Sequence, residues 1–162
     1  MTSTSPTDEI DRLLGTNAAA VRPMREARPA AVNHAQGAYD ALFDPPDPRG
    51  VSVAHRHAIA LRVAALAEQP ALADRHRAEL PTALAGAAEN AEATGDPVLD
   101  ALLTHTDLLT TRPAEATRED LAALRAFGLD TTDIVTASQL IAFVNFQLRA
   151  AAGLELLAGK EA

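Results

Sequence analysis

The residues able to do chemistry crowd into one stretch, Ser52 to Leu80, where His55, His57 and His76 stand with several arginines around a Gln69-Pro70 joint. His76 shares a helical stripe with Leu72 and Leu80 at i, i+4 spacing. It has two readings: a proton carrier or substrate contact, since imidazole titrates near neutral pH, or a core histidine bonded to a backbone carbonyl. His57 is a second candidate base, or else a polar residue at the edge of a buried face. Gln69 stands at a helix start, where backbone N–H groups and the helix dipole favour negative charge. Its amide neither ionises nor cycles between oxidation states. Leu72 follows on the same turn and is apolar. Glu68 falls on the face of His57 and either supplies a carboxylate or is a solvated helix end. Arg62 or Arg75 could hold a ligand carboxylate. Asn145, which interrupts an apolar stripe further on, either touches a ligand or satisfies a neighbouring helix. His34, His55 and His105 read as surface or half-buried positions. Two imidazoles without a third ligand are weak grounds for a metal site, so none is expected, and no cofactor either. The chain has no cysteine, which excludes thiolate catalysis, disulfides and cysteine-based metal sites outright.

Helices must position these residues. Ser52 is a suitable N-cap for a helix over about Val53–Glu68. Ile59, Val63 and Leu66 share one face and His57, Leu61 and Ala64 the other, so this helix is apolar on both sides and should be buried. Pro70 suits the first turn of the next helix and would break a continuous one. Upstream, Thr7 can cap a short helix Asp8–Leu14 that Gly15 ends. Residues 16–28 are mixed and read as an arm over the core. Pro29 opens a helix to about Phe43, and three prolines and a glycine make residues 44–50 a loop. Downstream, Asp96-Pro97 starts a helix with Val98, Leu102, Leu103, Thr106 and Leu109 on one stripe. Thr117 to Asp120 resembles a capping box. Asp130 caps a last long helix, expected to reach about Ala152 before Gly153. That helix carries two apolar faces, one through Ile134, Ile141 and Leu148, the other through Val135, Ala142 and Phe146. A second packing layer, inside the domain or across a subunit contact, would cover the second.

Composition narrows the class. Hydrophobic residues make up 48% of the 162 residues but aromatics only 3%, and alanine dominates. This suits close-packed helices better than sheet, and the expected fold is an all-α, single-domain helical bundle. A net charge of −8 disfavours duplex DNA and anionic membranes. Residues 117–149 superficially resemble a helix-turn-helix, but their second helix shows Val135, Phe143 and Phe146 instead of a basic reading face. No nucleic acid is therefore expected as a partner. A four-helix di-iron site would need Glu-x-x-His motifs, which are absent. No uninterrupted 18-residue apolar run predicts a membrane span, and the polar N-terminus does not read as a signal peptide; a cytoplasmic location is the default expectation.

The central stretch resembles the core of the carboxymuconolactone decarboxylase and alkylhydroperoxidase-D-like (AhpD-like) superfamily. Peroxidase members carry a Glu, then, twelve residues on, a Cys-x-x-Cys-x-x-x-His motif. In this chain the Glu position falls on His57, the two Cys positions on Gln69 and Leu72, and the His position on His76, which matches. Asp-Ile-Val at 133–135 and Ile-Ala-Phe-Val-Asn-Phe-Gln at 141–147 are similar to the closing helical hairpin of peroxidase-related members, so the resemblance spans roughly residues 34–156. It implies an N-terminal arm with a short helix over residues 1–28, an AhpD-like helical domain over 29–156 and a tail over 157–162. It also implies an oligomer, a homo-trimer or hexamer or a hetero-oligomer with a related subunit. The function it implies is that of a cysteine-less relative without dithiol peroxidase activity, binding a small molecule or serving as a partner subunit. The alternative is a cofactor-free decarboxylase or lactone-type enzyme with His76 as general acid or base.

Overall fold

The computed structural model describes residues 8–159. Among them run nine α-helices: α1 Glu9–Leu14, α2 Ala18–Glu26, α3 Pro29–Phe43, α4 Val53–Leu66, α5 Pro70–Arg77, α6 Thr82–Asn90, α7 Pro97–Thr111, α8 Arg118–Ala126 and α9 Thr131–Ala158. No described residue is in a strand, as composition led us to expect.

The start and stop chemistry is largely as anticipated. Ser52 caps α4 by accepting from the His55 N–H, Asp96 caps α7, and Thr117 and Asp130 each form a capping box with an aspartate three residues on. Several boundaries differ. Thr7 lies outside the described residues, and α1 is capped by Asp8. The mixed segment after Gly15 is a 3-10 turn followed by α2. The last helix does not stop at Gly153 but continues to Ala158. A glycine inside a helix costs only about 1 kcal/mol, and Leu154 and Ala158 beyond it pack on Ile10, Leu14 and Val21.

Helix α4 is the axle of the bundle. It packs on α5, α6, α7 and α9, and eight of its residues, Arg56 to Leu61 with Val63 and Ala64, are buried. The main core gathers Ile59, Leu61, Leu72, Leu99, Leu102, Leu140 and Ile141 around it. A smaller cluster of Ile10, Leu14, Val21 and Ala151 fastens α1 and α2 to the far half of α9.

Helix α9 buries one face, including Ile134, Leu140, Ile141 and Val144. Its other face points outward, with Val135 and Phe146 each 49% exposed. It also holds an 18-residue window of mean hydropathy 1.4, long and apolar enough to cross a membrane by length and composition alone. Polar residues such as Ser138 and Asn145 interrupt the apolar run. In this fold the helix packs on α1, α2, α4, α7 and α8.

Candidate functional site: a buried histidine pair

The joint between α4 and α5 sets the site. Helix α4 ends in a Schellman motif, the Gln69 N–H reaching the Ala64 carbonyl at 2.9 Å and the Glu68 N–H the Ala65 carbonyl at 3.1 Å. Glu68 takes the left-handed position usually given to glycine, with φ 54°. Pro70 then opens α5. The reversal lays α5 against α4 and brings His57 and His76, 19 residues apart, to a contact of 3.0 Å between their Nδ1 atoms.

Both rings are buried, His76 completely and His57 at 8% exposure. One Nδ1 must donate and the other accept, so with both rings neutral a single proton lies between them. The Nε2 of His76 is buried without a partner. The tautomer that leaves no N–H unpaired there has His76 donating from Nδ1 to His57, and is assigned from this bonding pattern. Burial, then the neighbouring His57, then Arg75 push the pKa of His76 down to about 3. The pKa of His57 is also lowered, chiefly by burial. The pair is therefore uncharged at neutral pH.

The lid over this pair was not singled out in the sequence. The Phe43 ring stacks on His76 at 5.0 Å and lies against His57 at 5.1 Å, and Tyr39 stacks on Phe43 at 4.6 Å. The Tyr39 hydroxyl accepts from Arg75, whose Nε donates to the Glu9 carboxylate at 2.6 Å. Glu9 is only 2% exposed and also pairs with Arg12. Thus α1, α3 and α5 close over the imidazoles through one ionic and aromatic stack. A helix reaching about Phe43 was readable; the meeting of Tyr39 and Phe43 with α5 depended on tertiary packing.

Of the other candidates, few join the pair. Leu72 is buried in the core on the stripe of His76. Gln69 is the N-cap position just before that helix; it is exposed, and its side chain makes no capping bond. Glu68 is exposed and lies beyond the end of α4, so it does not continue the His57 face. Arg62 is held elsewhere, by two bonds of 2.6 and 2.9 Å to Asp107 and one of 2.7 Å to the Glu89 carbonyl. Asn145 donates to the Ile141 carbonyl and, across to α7, to Thr110, the structural role weighed for it. His105 departs from its surface or half-buried reading. It is buried, its pKa lowered by burial, and its Nε2 lies 3.1 Å from the Ser138 hydroxyl. That hydroxyl already donates to the Ile134 carbonyl, so His105 is the donor and no activated serine results. No group of three or more metal-ligating side chains occurs among the described residues.

The fold is that of AhpD-core, peroxidase-related proteins. An uncharacterized peroxidase-related protein from Silicibacter sp. TM1040 superposes with a TM-score of 0.71 at 17% identity, over 96% of this chain and 93% of that one. An alkylhydroperoxidase AhpD core, an uncharacterized peroxidase-related protein from Ralstonia eutropha JMP134, does so with a TM-score of 0.64 at 18% identity, over 92% and 88%. The fold expected from the two sequence blocks is the fold observed. No known family pattern matches the chain, and no curated protein matches it.

Proposed function

We propose that this chain is a cysteine-less AhpD-like protein that has no dithiol peroxidase activity and works as a small-molecule-binding or oligomeric partner subunit. The observation that carries this reading is the state of the helix start. The position aligned with an attacking thiol is an exposed Gln69, its would-be resolving partner is a core leucine, and the one matched residue, His76, is fully buried with a pKa near 3. The cytoplasm and a homo-oligomer, or a complex with a related subunit, belong to the same proposal. The test is reduction of an organic hydroperoxide with a dithiol donor. No turnover above the donor's own background is expected, and clear turnover would overturn the reading.

The decarboxylase or lactone alternative fits the geometry less well. A general acid or base works best with a pKa near the operating pH, and His76 lies several units below it. Both arginines that could hold a substrate carboxylate already bind carboxylates of the protein, Arg62 that of Asp107 and Arg75 that of Glu9.

A further inference from the structure

Away from the histidine pair, a groove of about 630 Å³ opens between α3 and the C-terminal half of α9. Its volume lies within the usual range of small-molecule sites, roughly 300–1,000 Å³. One wall is Ala31, Val32 and Ala35; the other is Phe146, Ala150 and Leu154. The reason it stays open is legible in the residues. Helix α3 packs chiefly on α2 and α4, leaving α9 largely free of it, and alanine side chains are too short to meet across the gap.

The charges around it are one-sided. Among the described residues no acidic side chain lines the groove, and the charged lining residues are Arg25 and Arg28. Arg25 is neutralised by Asp8 and by Asp11, the latter at 3.1 Å. Arg28 is exposed and makes no ion pair among the described residues. In a chain of net charge −8, an apolar trough whose free charge among the described residues is cationic selects a ligand with an apolar body and an anionic end.

We propose that this groove binds a free, single-chain carboxylate amphiphile, with the alkyl tail along Phe146, Ala150 and Leu154 and the carboxylate on the Arg28 guanidinium. Tail burial supplies most of the affinity, and the exposed ion pair supplies less, setting headgroup preference and orientation. This gives a ligand class to the binding half of the function proposed above. It is independent of His57 and His76, so its failure would leave the peroxidase result untouched.

The test is a fluorescence titration of the full chain with dansyl-undecanoate, followed by competition. Saturable one-to-one binding is expected, with dodecanoate displacing the probe at a severalfold lower concentration than dodecyltrimethylammonium does. Arg28→Gln should weaken dodecanoate by about two- to fivefold and leave dodecanol unchanged. Ala31→Trp, at an exposed position, should block the groove while the helical circular dichroism stays native; Ala150→Trp repeats the block from the opposite wall. The proposal is overturned by the absence of saturable binding, by equal competition from the cationic amphiphile, or by undiminished binding in both tryptophan variants. It is also overturned if phosphatidylglycerol vesicles bind where free dodecanoate does not, or if Ala31→Trp only breaks a dimer that takes up no amphiphile.

Discussion

His57 and His76 show what a buried imidazole does when its best partner is another imidazole. Each charged form is penalised by burial, and the positive Arg75 adds to the penalty at His76. The consequence for stability has a definite sign. A histidine whose pKa is lower folded than unfolded binds more protons unfolded, so stability falls as pH drops below about 6.5 and is constant above it. At pH 5 His76 alone should have lost about 2 kcal/mol of its contribution. Thermal unfolding between pH 7 and pH 5 should therefore show a falling Tm, and His76→Leu should flatten much of that slope. An unchanged slope in the variant would mean that His76 is charged or solvated in the fold. Sequence register was sufficient to single out both histidines, because His76 matched a motif and His57 replaced one. It could not reveal their contact, which depends on how α5 folds back on α4, nor the Phe43 ring that covers them.

At the scale of elements, two joints carry measurable consequences. Glu68 occupies a left-handed position at the end of α4, where a side chain costs about 1 kcal/mol relative to glycine. Glu68→Gly should raise stability by about 0.5 kcal/mol, the larger freedom of glycine in the unfolded chain offsetting part of the gain; chemical denaturation would measure it. The second joint is the proline-rich loop before α4. The Gly50 N–H donates to Asp133 at 3.0 Å, and the same carboxylate caps α9 by accepting from the Asp130 N–H. A Cβ at Gly50 would lie 2.5 Å from that carboxylate. Gly50→Ala should therefore lower stability by about 1–3 kcal/mol, and a neutral result would show that the loop yields freely. Helix caps and the loop were readable because Ser52, Asp96, Asp130 and the prolines act locally. The ends of α4 and α9 were misplaced because local signals there lost: a Schellman turn accepted Glu68 without a glycine, and packing around Leu154 carried α9 through Gly153.

For the whole molecule, the all-α class followed from alanine abundance and aromatic scarcity, and the fold from two sequence blocks that resemble those of AhpD-like proteins. What composition could not settle is which surface of α9 faces inward, since both are apolar. The structure leaves Val135 and Phe146 outside; Phe146 belongs to the groove wall, and self-association through the Val135 end of that face is the expected outcome of sedimentation equilibrium. Val135→Asp should lower the mass observed; a monomer for both proteins would remove the subunit reading. The whole arrangement, a bundle closed by Glu9, Arg75, Tyr39 and Phe43 over two uncharged imidazoles, rests on the state of that pair. Its most direct test is a nitrogen-15 spectrum of the histidine side chains followed from pH 7 to pH 5. Expected is a His76 resonance that stays in its neutral tautomer, protonated at Nδ1, across that range. Protonation of His76 between pH 7 and pH 5 would contradict a dry, proton-sharing pair.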